Sequence, residues 1–320
     1  MEIKNARILV TGGAGFLGQH VIEALLAHGA QAENLSIPRS RTDDLREQSV
    51  CEKVVQGMDL VLHLSGKIGG IGFNQKYPAE LFYDNLKMGM QLINAAYRYG
   101  VEKFVIIGTA CEYPEFIPVP FSEDDIWEGY PAKETAPYGL AKKMLLVQAQ
   151  TYREQYGFNA VQVIPTNLYG PHDNFRLEYS HVIPALIRKV VDAKANGDPH
   201  VDVWGSGNAT REFMYAGDAA EGIVLAAERY DKPMPVNLGT GVETSIRELV
   251  GMISDLLGYD GSIRWDASKP DGTPRRCLDV SRAEKEFGFK AKMDLETGLR
   301  KTIDWYQKSY FPYIDRVFQK

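Results

Sequence analysis

Short, continuous apolar runs alternate along the chain with longer stretches whose apolar residues recur at helical spacing. Residues 7–11 (Arg-Ile-Leu-Val-Thr) form the first run and end in glycines, as a buried strand does. From 16 to 28, Phe16, Leu17, Val21, Ile22, Leu25 and Leu26 follow one helix face. The alternation continues with a strand at 35–37, a helix at 43–56, a strand at 59–64 and a glycine-rich loop. A long helix at 79–99, a strand at 104–108, a helix at 137–156 and a strand at 160–165 follow. This order predicts an α/β protein with a parallel, doubly wound sheet and helices on both faces. Ligands of such sheets sit beyond the carboxyl ends of the strands. After Thr166 the pattern becomes irregular, with Pro, Gly, Asn and Trp in loops. Helices are expected at 183–195 and 216–228, a strand at 236–238, and mixed helices and short strands from 244 to 320. We expect a nucleotide-binding domain of residues 1–165 plus 214–243. A smaller α/β substrate-binding domain, residues 166–213 plus 244–320, would cover the ligand edge of the sheet.

Composition narrows the partners. The 320 residues carry a formal net charge of −6, so there is no global basic field for nucleic acid. Cys51, Cys111 and Cys277 are odd in number, far apart and without metal-ligand spacing. They suggest neither a disulfide framework nor a metal site, and fit a reducing compartment. The N-terminus has no apolar signal core and no run is long enough to span a bilayer. A cytoplasmic protein acting on a small molecule, with no nucleic-acid or membrane partner, is the expectation.

The first strand runs into Thr11-Gly12-Gly13-Ala14-Gly15-Phe16-Leu17-Gly18. Gly12, Gly15 and Gly18 give the spacing of a dinucleotide loop. The first permits the tight turn, the second lets the backbone approach a pyrophosphate, and the third lets helix and strand pack closely. The position between a strand and a helix is the context such a motif needs, and makes the sheet a Rossmann sheet. At the end of the second strand an acid would bind a ribose 2′-hydroxyl; here Arg39, Ser40 and Arg41 stand instead, which suits the 2′-phosphate of NADP(H). Asp44 and Leu64, beyond the second and third strands, complete the expected cofactor set with Phe16 and Leu17.

Tyr138 and Lys142 lie four residues apart at a predicted helix start, on one face. A nearby ammonium favours the phenolate and is expected to lower the pKa of the tyrosine. The pair could pass a proton to an oxygen as hydride reaches a carbonyl carbon. Thr109, at the end of the fourth strand, offers a hydroxyl to hold that oxygen.

These features resemble the extended short-chain dehydrogenase/reductases and, within them, the GDP-L-fucose synthase family. Long stretches in both halves carry the likeness. They include Gly69-Gly70-Ile71, Tyr77-Pro78-Ala79 and Cys111-x-Tyr113-Pro114. The run from Pro165 through Gly170-Pro171-His172-Asp173-Asn174-Phe175 follows, then the runs opened by Ser180-His181, Val203-Trp204, Arg211-Glu212 and Asp266-Ala267. The resemblance implies reduction by Tyr138 and Lys142, with Thr109 at a position where the family has serine. It implies epimerisation by Cys111 and His181 as an acid/base pair, and a nucleotide-sugar site of Asn167, Arg188, Trp204, Arg211 and Lys269. It implies NADP(H) as cofactor, and a homodimer built on the two long helices at 79–99 and 137–156. Two positions depart from the family pattern: Ala14, where an arginine can contact the NADP phosphate, and Glu112, where an aliphatic residue is familiar. The implied activity is 3,5-epimerisation and 4-reduction of a GDP-4-keto-6-deoxy-hexose. Alternatives are a C4 reductase or partial epimerase of another 4-keto nucleotide sugar, such as a heptose, and a non-catalytic NADP-binding regulator.

Overall fold

Three apolar runs become strands that are buried along their whole length, because helices cover both faces of the sheet. In the computed structural model, which describes residues 1–269 and 272–310, the chain opens with β1 (Ile8–Thr11), α1 (Phe16–Ala27), β2 (Leu35–Ser36), α2 (Gln48–Val55) and β3 (Leu60–His63). It continues through α3 (Ile71–Lys76), α4 (Pro78–Arg98), β4 (Lys103–Ile107), α5 (Ala136–Tyr156) and β5 (Asn159–Pro165). The second half holds β6 (Asn167–Tyr169), α6 (Val182–Asn196), β7 (His200–Trp204), β8 (Thr210–Tyr215), α7 (Ala216–Arg229) and β9 (Val236–Leu238). Then come β10 (Glu243–Ser245), α8 (Ile246–Leu257), β11 (Ser262–Asp266), β12 (Arg275–Arg276), α9 (Ser281–Phe287) and α10 (Leu295–Trp305).

The central sheet is parallel, in the order β2-β1-β3-β4-β5-β9. Its side chains divide with a period of two. Ile8, Val10, Leu60, Leu62, Val105, Val161 and Val163 pack under α1 and α7. Leu9, Val61, Phe104, Ile106 and Ala160 pack on the other face, with residues of α2, α4 and α5. The chain leaves β1 toward β2 and returns to β3 on the opposite side, so the strand order reverses between β1 and β3. That is where a doubly wound sheet binds its nucleotide. A Thr11 Oγ1 to His63 Nδ1 contact of 2.9 Å ties the two strand ends together.

The second half forms its own core from α6, α8 and α10 with Tyr169, Phe175, Val201, Val203 and Phe213. Its strands make two small sheets: β10-β8-β12 with β6 beside β8, and the parallel pair β11-β7. Three local expectations change. The helix expected from residue 43 begins at Gln48 because Asp44 accepts the Arg46 backbone N–H at 2.9 Å, which makes a turn in place of a first helical turn. Part of the glycine-rich loop is the short helix α3. Trp204, expected in a loop, closes β7. Residues 311–320 of the expected substrate domain lie outside the described residues.

Candidate active site

The glycine loop turns as the spacing requires. Gly12 has φ +72°, and a Cβ there would meet the Ser65 backbone nitrogen at 2.9 Å, so the loop and the end of β3 share their backbones closely. Gly15 precedes α1 with no side-chain cap on the helix, leaving the first N–H groups for a ligand's phosphates. Phe16, Leu17 and Leu64 line this end of the sheet, half-buried. Arg39, Ser40 and Arg41 are exposed on the turn after β2, and among the described residues neither guanidinium has an ion-pair partner. Asp44 sits apart from them in its bonding, held by Arg46 at 2.7 Å. These features fit a dinucleotide with a phosphorylated ribose.

Beyond β4, the chain makes a tight turn over Ala110–Glu112. Thr109 caps it: its Oγ1 accepts the Cys111 N–H at 3.3 Å, and the Glu112 carboxylate accepts the Thr109 N–H at 2.8 Å. The start of α5 docks on this turn without a gap, since a Cβ at Gly139 would overlap the Cys111 carbonyl oxygen. That contact brings Tyr138, one residue earlier, against Cys111. Tyr138, Phe73 and Leu81 form one apolar cluster, with Cys111, Tyr77 and Tyr179 packed on it.

Lys142 follows one turn along α5, only 3% exposed, and its ammonium has no hydrogen-bond acceptor among the described residues. Burial lowers its pKa to about 8, while Glu112 pulls the other way. The lowered pKa expected for Tyr138 is not what the structure gives. Burial pushes it well above its ordinary value, with Cys111 and Glu112 adding to the effect. The phenol therefore stands as a proton donor at neutral pH.

His181 is the residue before α6. Its segment reaches the site through the Gly70 N–H, which donates to Tyr179 O at 3.2 Å, and through Tyr179 in the apolar cluster. Burial lowers the His181 pKa, so the ring is neutral at pH 7.

The Tyr138 phenol packs with the Cys111 thiol at the carboxyl edge of the parallel sheet, and the segment that leads to His181 reaches the same cluster through Tyr179. Residues 8–239 match the model of the NAD dependent epimerase/dehydratase family. The chain is 38% identical over 311 residues to GDP-L-fucose synthase 1 of Arabidopsis thaliana, covering 97% of this chain and 95% of that protein. It belongs to the GDP-L-fucose synthase family. Among solved structures, a GDP-L-fucose synthetase from Naegleria fowleri bound to NADP superposes with a TM-score of 0.85 at 29% identity, over 96% of this chain and 95% of that one. A GDP-6-OMe-4-keto-L-xylo-heptose reductase from C. jejuni superposes with a TM-score of 0.89 at 26% identity, over 96% and 99%.

The five sugar-site residues expected from the GDP-L-fucose synthase likeness fall into three places. Asn167 and Arg211 share the small sheet: Asn167 Nδ2 donates to Glu212 O at 2.9 Å, and Arg211 Nη1 to Thr210 O at 2.7 Å. Trp204 is 58% exposed, with the Lys269 ammonium 5.5 Å from its ring centre. Arg188, on α6, holds the Phe175 carbonyl at 3.2 Å. Sequence reasoning missed Arg276. It pairs in register with Arg211 across β12 and β8, and its guanidinium reaches Cys111 Sγ at 3.8 Å and Thr273 Oγ1 at 3.4 Å. No carboxylate pairs with it among the described residues. A second missed residue is Glu212, fully buried, whose carboxylate accepts the Gly241 and Leu278 N–H groups at 2.8 Å each. It ties β8 to the turn at Gly241 and to Leu278, two residues beyond Arg276.

Proposed function

We propose that this protein catalyses the NADPH-dependent 3,5-epimerisation and 4-reduction of a GDP-4-keto-6-deoxy-hexose. The observation that supports this reading is the turn Thr109–Glu112 packed on α5, which sets the Cys111 thiol against the Tyr138 phenol while the Thr109 hydroxyl caps the same turn. The 4-keto group acidifies the hydrogens on its two neighbouring carbons. Cys111 and His181 exchange those protons, one removing and the other returning to the opposite face. Arg276 sets its guanidinium against the Cys111 sulfur. Thr109 and Tyr138 hold the oxygen that gains charge as the proton leaves. NADPH, when bound, supplies the hydride for C4. Gly12, Gly15, Gly18, Lys142, Arg39 and Arg41 hold it, and Tyr138 gives its proton to the C4 oxygen. Asn167, Arg188, Trp204, Arg211 and Lys269 hold the nucleotide-sugar.

A second reading, C4 reduction of a GDP-heptose without full epimerisation, is favoured by the heptose reductase likeness and by Glu112 in place of an aliphatic residue. Incubation with GDP-4-keto-6-deoxy-D-mannose and NADPH, with the product identified by NMR, decides between them. GDP-L-fucose supports the first reading; a product with the original C3 and C5 configurations supports the second.

The proposed domains are those of the expectation, 1–165 plus 214–243 and 166–213 plus 244–320. The separate core around α6, α8 and α10 supports the division, while α9 packs with the sheet-side core. We also propose a cytoplasmic homodimer. Supporting it, α4 leaves Phe82, Tyr83 and Met90 exposed. The three cysteines are free thiols, and no helix among the described residues is long and apolar enough to cross a membrane.

A further inference from the structure

Glu112 has no solvent exposure and lies behind the residues that meet the substrate. The structure makes room for it. A Cβ at Gly108 would stand 2.5 Å from Glu112 Oε1, and Gln162, on β5, donates to that oxygen at 3.3 Å. The same Gln162 amide also reaches the Lys142 backbone carbonyl, at 3.4 Å. The carboxyl therefore bridges two parts of the site. Through Oε1 it holds the Thr109 N–H, and so the turn that presents Thr109 and Cys111. Through the shared Gln162 amide it is linked to the Lys142 turn of α5. Its other oxygen, Oε2, is buried without a hydrogen-bond partner. A structural filler would not leave a buried carboxyl half-satisfied, because each such oxygen costs stability.

We propose that Glu112 is a positioning residue of both half-reactions, a buried carboxyl that clamps the Thr109–Cys111 turn and serves as the internal counter-charge of Lys142. The proposal rests on the reading of the site given above. The charged and titratable groups facing it are Lys142, Lys143 and Tyr138 from α5, and Tyr113 next in the chain, with His63 of β3 facing Lys142. Burial raises the Glu112 pKa to about 8. Its carboxylate form raises the pKa of Lys142 and of Tyr138. Both must keep their protons for reduction, so the carboxylate extends the active range toward alkaline pH. Removing the charge moves the basic limb to lower pH.

The test compares Glu112→Gln with Glu112→Ile. Glutamine keeps an oxygen for the Thr109 N–H and loses the charge; isoleucine, of the aliphatic class familiar in relatives, loses both. Two profiles are recorded: NADPH oxidation with the 4-keto sugar against pH, and deuterium exchange into the sugar without NADPH, which reports proton transfer without hydride transfer. The basic limb of NADPH oxidation should fall by about one pH unit in both variants. Exchange should stay near wild type in Glu112→Gln and drop several-fold in Glu112→Ile. An unchanged basic limb in Glu112→Gln overturns the counter-charge role, and if that variant does not fold, the limb of Glu112→Ile decides it. Undiminished exchange in a folded Glu112→Ile overturns the clamp. Wild-type enzyme that neither oxidises NADPH nor exchanges deuterium with the keto sugar would instead overturn the reading of the site itself.

Discussion

The two groups of candidate site residues, those on the central sheet and those on the small sheets, are built on opposite principles. On the sheet side, Tyr138, Lys142 and Glu112 are almost wholly buried, and burial sets their protonation. On the small-sheet side, Asn167 and Trp204 are exposed, and Arg211 and Arg188 are held by backbone carbonyls. Charges on the first side interact in a medium of low dielectric, while those on the second are screened by water until a ligand covers them. On the proposed function, the chemistry is fixed before substrate arrives, and recognition is completed by it. Mutations on the sheet side should act on kcat, and those on the other side on KM.

The largest expected break comes from Tyr138→Phe, which deletes one hydroxyl from a well-packed ring. The apolar cluster with Phe73 and Leu81 remains, so fold and NADPH binding should persist, checked by circular dichroism and fluorescence titration. Loss of the proton donor should lower kcat for NADPH oxidation by roughly 10²–10⁴-fold. Near-normal oxidation with the true substrate would show that another group gives the proton.

Next in size is Cys111→Ser. A serine hydroxyl is a far poorer base than a thiolate near neutrality, so deuterium wash-in at C3 and C5 should fall by about 10²-fold or more. His181→Ala should remove inversion by leaving one face without an acid/base group to exchange a proton. Both variants should still bind NADPH and reduce the un-epimerised ketone. If wild type reduces C4 without exchange at either carbon, the two residues are structural and the protein is a plain reductase.

What could be read from the sequence follows from how each feature is encoded. The sheet was legible because its strands are buried on both faces and so appear as unbroken apolar runs; β9 falls on the expected residues. The Tyr138–Lys142 pair was legible because helical spacing alone puts both on one face. The α3 helix was not, since six residues hold too few periods. The late start of α2 depends on a single side chain, Asp44, bonding to backbone. Arg276 reaches Cys111 from 165 residues away through a two-residue strand paired with β8. No local pattern signals such a contact, and the pKa of Tyr138 was misjudged because spacing reports the neighbouring lysine but not the depth of burial.

A smaller effect sharpens the comparison at the cofactor. Arg39 and Arg41 are exposed and unpaired among the described residues, so replacing both with Ala should leave stability within about 0.5 kcal/mol of wild type. Affinity for NADPH should fall by about 1.5–3 kcal/mol, the range for a hydrogen bond to a charged group, with little change for NADH. Equal losses for the two cofactors in a binding titration would mean that these arginines do not meet the 2′-phosphate.

The smallest effect expected is at Lys269. Its ammonium stands 5.5 Å from the centre of the Trp204 ring, and both side chains are exposed. A cation over an exposed indole contributes about 0.5–1 kcal/mol. In the free protein this contact holds the ring in place rather than stabilising the fold. On the proposed function, a nucleotide-sugar covering the pair would bring its diphosphate within reach of this charge, an attraction that strengthens as water leaves. Lys269→Met keeps much of the apolar stem and removes the charge. KM for the nucleotide-sugar should rise roughly 3- to 10-fold, corresponding to about 0.6–1.4 kcal/mol, with kcat unchanged because no reacting atom is touched. The rise should shrink as salt increases if the charge acts through the diphosphate, and persist if it acts by ordering Trp204. A lowered kcat at unchanged KM would place Lys269 with the chemistry, and the division between the two groups of site residues would fail there.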